Sequence, residues 1–193
     1  GNHGASAWTQ ALANPTNLAL VSDAPPARDA ARGRIYAALA RTLYAFDEAT
    51  GAVVWTSSWP TGDGAAASNV MLADGDIWLA TGRKLLVFQD LGDSAARSAI
   101  ALPRAHYEAV LMPTSDGRLI VFATTLVHVF DRASRARLFT EFLPGWSFDV
   151  DFDTFDGAVA IAPRDLAHGV LGIVVQIDDA QVVAQGYPAR RGP

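Results

Sequence analysis

The sequence predicts an all-β fold, a β-propeller built from four-stranded antiparallel blades with about four blades present, and three observations predict it. The glycines that open each second strand, Gly33, Gly75, Gly117 and Gly157, lie 42, 42 and 40 residues apart. The apolar residues that close each third strand, Phe46, Phe88, Phe130 and Ile177, lie 42, 42 and 47 apart, so a second marker repeats the period. Asp74-Gly75, Asp116-Gly117 and Asp156-Gly157 are Asp-Gly turn signals between short β-branched or aromatic runs, with Arg32-Gly33 in the first copy. A repeat of this length with four strands is blade-sized, because one such sheet cannot bury both faces and must stack on neighbours. Helical repeats are disfavoured, since Gly and Pro fall throughout and no apolar stripe at helical spacing persists for three turns. A two-sheet sandwich ranks second.

Taken in order, the repeats span roughly 18–60, 66–104, 107–144 and 148–187 of a single domain covering 1–193. The lead-in, rich in Ala, Asn, Thr and Pro, holds one short strand at Leu18 to Val21. Pro25-Pro26 and Arg28-Asp29 then read as a loop before strand-favouring residues resume at Arg32 to Tyr36. Leu43 to Phe46 and Ala52 to Trp55 form a hairpin around Asp47, Thr50 and Gly51, which supply a side-chain cap, a hydroxyl and tolerance of positive φ. The second repeat places strands at Asn69–Leu72, Ile77–Ala80, Leu85–Phe88 and Ala99–Leu102. The third places them at Ala109–Met112, Leu119–Ala123, Val127–Phe130 and Leu138–Phe142. The fourth opens on Phe148 to Asp153 and ends in a hairpin across Ile177 to Val183.

Composition narrows the function classes. Half of the 193 residues are hydrophobic and 18% are charged, which excludes a disordered solvating chain. A net charge of −5, a lone lysine at Lys84 and no basic cluster beyond Arg190-Arg191 disfavour nucleic acid as a partner. The absence of cysteine excludes disulfides, thiolate catalysis and Cys-ligated zinc. Apolar runs such as Gly169 to Ile177, cut by Gly172 and Gln176, are too short for a membrane span, so a soluble chain is expected. Opening on Gly1 rather than Met, the chain reads as a processed product or a fragment whose targeting peptide is out of view.

Ala45-x-Asp47-x-x-Thr50-Gly51-x-x-x-Trp55 resembles the tryptophan-docking motif of propellers related to pyrroloquinoline-quinone-dependent dehydrogenases, a family with many non-enzymatic members. The resemblance implies that Trp55 wedges between adjacent blades, that Ala45 leaves room for its ring, and that Asp47 and Thr50 tie down the turn at Gly51. It also implies a larger ring, of about seven or eight blades, completed by further blades or a protein partner. The motif decays elsewhere. The third copy keeps Asp131 and has Phe139 for the tryptophan, but Ser134-Arg135 replaces Thr-Gly. The second has Gln89 and Arg97 with a Gly92-Asp93 turn, and the fourth has no aromatic. The lead-in from Gly1 to Leu18 resembles that of bacterial envelope or secreted propellers, which implies a periplasmic or extracellular setting.

Candidate sites each have a plain alternative. Asp149, Asp151 and Asp153 alternate with Phe148, Val150 and Phe152 and share one face of a strand. Such a row could hold Ca²⁺, but Thr154 follows where a calcium loop continues with Gly, and a solvated face of the fourth blade's first strand is the preferred reading. His3, His106, His128 and His168 show no metal-ligand spacing, and His128 reads as a framework histidine. His106-Tyr107-Glu108 could face a channel or be an ordinary loop. Trp8, Trp59, Trp78 and Trp146 fit either ligand stacking or packing between blades. No nucleophile elbow or phosphate loop is present, and the adjacent cysteine pair that the resemblance implies for a quinone enzyme is missing. The expected function is therefore a non-enzymatic binding or assembly scaffold without a cofactor. The alternatives are a fragment of a quinone-dependent dehydrogenase, with Ca²⁺ and pyrroloquinoline quinone, and a carbohydrate- or small-ligand-binding propeller.

Overall fold

The computed structural model describes residues 26–103, 109–114, 116–123, 126–142, 151–155, 158–162, 170–178 and 181–188. The chain groups into two compact units, Gly1–Leu111 and Met112–Pro193. The first sheet runs β1 (Ala27–Asp29), β2 (Arg34–Leu39), β3 (Thr42–Asp47) and β4 (Val53–Ser58). The second runs β5 (Met71–Ala73), β6 (Asp76–Ala80), β7 (Lys84–Asp90) and β8 (Ala95–Ala101). A third contains β9 (Val110–Pro113), β10 (Arg118–Ala123), β11 (Leu126–Asp131) and β12 (Arg137–Phe142). The fourth contains β13 (Asp151–Phe155), β14 (Ala158–Ala162), β15 (Val170–Asp178) and β16 (Gln181–Pro188). Every sheet is an antiparallel meander, in which each strand pairs with the next in sequence.

Local sequence explains the hairpins. Asp74 and Gly75 stand alone between β5 and β6 with φ of 54° and 82°. Positive φ at both central positions is what a tight turn matched to the strand twist requires, and aspartate and glycine reach it at least cost.

The first repeat departs from expectation at its start. Arg28-Asp29 belongs to β1, paired with Ile35 and Arg34, rather than to a loop. Behind the Pro25-Pro26 breaker the chain is already extended, and Asp29 stops the strand by accepting the backbone N–H groups of Ala31 and Arg32 on its side chain, both at 3.1 Å. The proposed strand at Leu18 to Val21 lies outside the described residues. In the second sheet the outer strand starts at Ala95, four residues ahead of the predicted Ala99.

In the first unit the core forms where the first two sheets meet. Tyr36, Leu43, Ala45 and Trp55 from one sheet join Ile77, Leu79, Leu86 and Phe88 from the other, with Trp59 and Val70. Inner strands β6 and β7 bury consecutive residues, Ile77 to Ala80 and Leu85 to Phe88. Side chains alternate between the two faces of a strand, so both faces of these strands are covered, which is why their sequences read as continuous apolar runs. Two joins link positions one repeat apart. The Ala109 N–H donates to the Ala67 carbonyl at 2.6 Å, and the Asn69 amide both accepts from the Leu111 N–H at 2.8 Å and donates to its carbonyl at 3.2 Å. In the second unit β10 and β11 are buried throughout their apolar centres, Leu119 to Ala123 and Val127 to Phe130.

Candidate functional site

The turn after β3 is held by Asp47. Its Oδ1 accepts the Thr50 N–H at 2.9 Å and the Thr50 hydroxyl at 2.7 Å, while the Thr50 hydroxyl accepts the Ala52 N–H at 3.3 Å. The Gly51 N–H donates to the Asp47 carbonyl at 2.8 Å, with Gly51 at φ 73°. The turn therefore returns the chain so that Ala45 lies opposite Trp55 in the β3–β4 ladder. Ala45 is fully buried and the Trp55 ring is 5% exposed.

Trp55 reaches across to the second sheet. Its Nε1–H donates to Asp90 Oδ1 at 3.1 Å, and the Tyr36 hydroxyl donates to Asp90 Oδ2 at 2.6 Å. The Tyr36 and Trp55 rings pack at 5.9 Å with a 36° tilt. Asp90 Oδ1 also accepts the Gly92 N–H at 2.7 Å. One carboxylate at the end of β7 thus takes three protein donors, two of them aromatic side chains of the neighbouring sheet. Burial, and then the Asp90 carboxylate beside it, push the Tyr36 phenol well above the ordinary tyrosine value.

The third repeat builds the same turn from different residues. Asp131 Oδ1 accepts the Ser134 N–H at 2.7 Å and the Ser134 hydroxyl at 2.6 Å, and Arg135 stands at φ 59° where Gly51 stands in the first copy. Serine keeps the hydroxyl and arginine bears the strain, so what reads as decay in sequence is conserved geometry. In both turns the side-chain hydroxyl, followed by the backbone N–H, holds the aspartate carboxyl below the usual carboxylate value. A carboxyl depressed in the folded state stabilises it above the unfolded value of 3.8, and that stability is lost as pH falls through the lower folded value.

Two expected results follow from this turn. Thr50→Val removes the hydroxyl donor and raises the Asp47 carboxyl toward its ordinary value in an NMR titration, with Asp131 unchanged as internal control. An unmoved Asp47 would refute the hydroxyl as the main cause. Gly51→Ala places a side chain at φ 73° and costs about 1 kcal/mol in urea unfolding.

The remaining candidates fall as follows. Trp59 is buried, donates its Nε1–H to the Gly64 carbonyl at 2.8 Å and packs on Phe88 at 6.3 Å. Trp78 is buried, with its indole N–H lacking an acceptor among the described residues. His128 is fully buried, with Nδ1 at 2.8 Å from the Thr140 hydroxyl. Asp151 and Asp153 sit on β13 opposite Ala162 and Ala160, on the strand that opens the fourth sheet. Asp149, His3, His106-Tyr107-Glu108, His168, Trp8 and Trp146 lie outside the described residues. Among the described residues no cluster of three His, Asp or Glu side chains could hold a metal ion, and no helix is long and apolar enough to cross a membrane. An open groove of about 290 Å³ is lined by Arg28, Asp29, Arg32 and Asp74, but Arg28 pairs with Glu48 at 2.6 Å and Arg32 with Asp29 at 2.7 Å. Its cationic groups are thus already matched by carboxylates of the same sheet.

Sequence reasoning missed Tyr36 and Asp90. Asp90 stands one place beyond Gln89, the position that corresponds to Asp47, so repeat alignment directs attention to the wrong residue.

No protein-family model matches the chain, and neither does any curated protein sequence. Solved structures do match. The crystal structure of BamB from Moraxella catarrhalis superposes with a TM-score of 0.69 at 20% identity, over 96% of this chain and 56% of that one. The N-terminal domain of Nup159 superposes with a TM-score of 0.58 at 10% identity, over 87% of this chain and 45% of that one. The chain thus spans about half the length of each. At these identities the likeness speaks to fold, and together with the four antiparallel meanders it makes this an all-β propeller of about four blades.

Proposed function

We propose that the chain is a non-enzymatic propeller that serves as a protein-binding or assembly scaffold, in the cell envelope or outside the cell. The observation that carries this reading is the joint at Asp90. The residues that give the chain its resemblance to quinoprotein repeats hold a turn and fasten one sheet to the next, and the carboxylate at the centre takes three protein donors. A sheet pair fastened in this way displays its loops and edges in fixed positions, so recognition loses little conformational entropy. The reading requires no cofactor. The likeness to BamB, a bacterial protein, supports it, as does the resemblance of the lead-in to envelope and secreted propellers. Further blades, from additional chain or a partner, belong to the same proposal, with Ala45, Asp47, Thr50, Gly51 and Trp55 as its docking motif.

The test is in-cell crosslinking of the tagged full chain with reciprocal capture, run beside a dye-reduction assay with pyrroloquinoline quinone, Ca²⁺, alcohols and sugars. A reproducible crosslinked partner with no dye reduction is the expected result. Dye reduction without a partner would replace the scaffold by the quinone-dependent dehydrogenase, and selective binding on a glycan array by the carbohydrate-binding propeller.

A further inference from the structure

Among the four sheets the outer strand of the second is built differently. The pairings of β4, β12 and β16 with their neighbours each contain a register shift, whereas β7 and β8 pair without interruption from Lys84–Ala101 to Asp90–Ala95. The extra residue lies on the outer strand itself in β4 and β12, and a bulge there twists an edge away from further pairing, so β8 lacks the protection that those two strands carry. It also lacks proline and lysine, has Arg97 as its single charge, and exposes Ala96, Arg97, Ser98, Ala99 and Ala101. Among the described residues the sheet ends at β8.

The register identifies the backbone groups that face outward. Hydrogen bonds from the Leu91 N–H to the Ser94 carbonyl and from the Leu102 N–H to the Arg83 carbonyl mark the two ends of the ladder. Bonded pairs alternate in an antiparallel ladder, so Ala96, Ser98 and Ile100 turn their backbone groups toward β7. Ala95, Arg97, Ala99 and Ala101 therefore direct theirs to the free edge. Small side chains leave that edge accessible, and at its start Leu91 is 59% exposed, the most exposed of the large apolar side chains among the described residues.

We propose that this edge docks an extended segment of a partner protein, which adds to the second sheet as a fifth strand. The inference rests on the scaffold reading and names its surface. Backbone donors and acceptors at strand spacing call for another backbone, and side chains at alternate positions of the incoming strand would supply specificity. The guanidinium of Arg97, fixed by its donation to the Ser58 carbonyl at 2.6 Å, gives the edge one positive charge, at its third position. The matching segment carries an Asp or Glu opposite Arg97, flanked by β-branched residues.

The probe is a fluorescein-labelled peptide, SVEVSVS, matched in length to the seven residues of β8 and followed by anisotropy on the full chain. Ala99→Pro removes an outward N–H while leaving the β7 ladder intact, and it is expected to weaken binding at least about tenfold with little change in thermal unfolding. N-methylation of alternate peptide residues gives the same loss on the unaltered chain. Arg97→Glu weakens SVEVSVS and strengthens SVKVSVS, which tests the edge even if the proline variant folds poorly. Absence of saturable binding, or binding indifferent to Ala99→Pro and N-methylation, overturns the proposal. So does a concentration-dependent dimer abolished by Ala99→Pro, which would make a second copy the occupant. Crosslinked partners that persist in Ala99→Pro overturn the edge and leave the scaffold reading standing, whereas failure to crosslink any partner to the unaltered chain overturns the scaffold itself.

Discussion

Trp55→Ala is expected to lower the unfolding free energy by about 3–5 kcal/mol. The ring is 5% exposed, lies opposite the buried Ala45 and contacts Tyr36, so truncation leaves a cavity on the surface where the two sheets meet. It also strips Asp90 of a donor. Trp55→Phe separates the two contributions, because it keeps most of the apolar contact and loses only the N–H; about 1–3 kcal/mol is expected for it. Urea unfolding followed by far-UV circular dichroism measures both. A cost below about 1 kcal/mol for Trp55→Ala would mean that the sheets are held by something other than this ring.

Asp90→Ala is expected to cost about 2–4 kcal/mol, because it leaves two buried donors, the Tyr36 hydroxyl and the Trp55 indole N–H, without an acceptor. The Tyr36→Phe, Asp90→Ala double variant recovers part of that loss by removing one orphan. The same pair has an alkaline signature. With its phenol pushed up in the folded state, Tyr36 keeps its proton at pH values where the unfolded chain has lost it. Its contribution is therefore complete below the unfolded value of 10.0 and falls as pH rises beyond it, with a slope approaching about 1.4 kcal/mol per pH unit. Tyr36→Phe should flatten that limb of the stability profile. An unchanged limb would assign it to another group.

The sheets were legible in sequence because their cause is local. Asp74-Gly75 makes a two-residue turn, Asp116-Gly117 ends a four-residue connection between β9 and β10, and the glycine spacing counts the repeats directly. The edges of the repeats were harder. Arg28-Asp29 looked like a loop because charged residues follow two prolines, yet a short edge strand needs only pairing groups, which Ile35 and Arg34 supply. Ser134-Arg135 looked like decay because the reading matched letters, whereas the turn requires a hydroxyl and a tolerated positive φ. Asp90 was invisible for a different reason. Its role comes from two residues of another sheet, 54 and 35 positions away, and no pattern within one repeat encodes that meeting. The bulge-free edge of β8 was equally hidden, since register is a property of two strands together.

The separation of 35 residues between Trp55 and its acceptor also sets an order of events during synthesis. The first meander is a low-contact-order unit that can close as soon as Ser58 has left the ribosome, but its tryptophan then waits, ring uncovered, for Asp90 to emerge. At cellular elongation rates that interval is roughly 2–7 s, far longer than a hairpin takes to form. A nascent chain stalled inside that window presents a bare indole and a bare phenol side by side, a target for a chaperone that disappears once the next meander arrives.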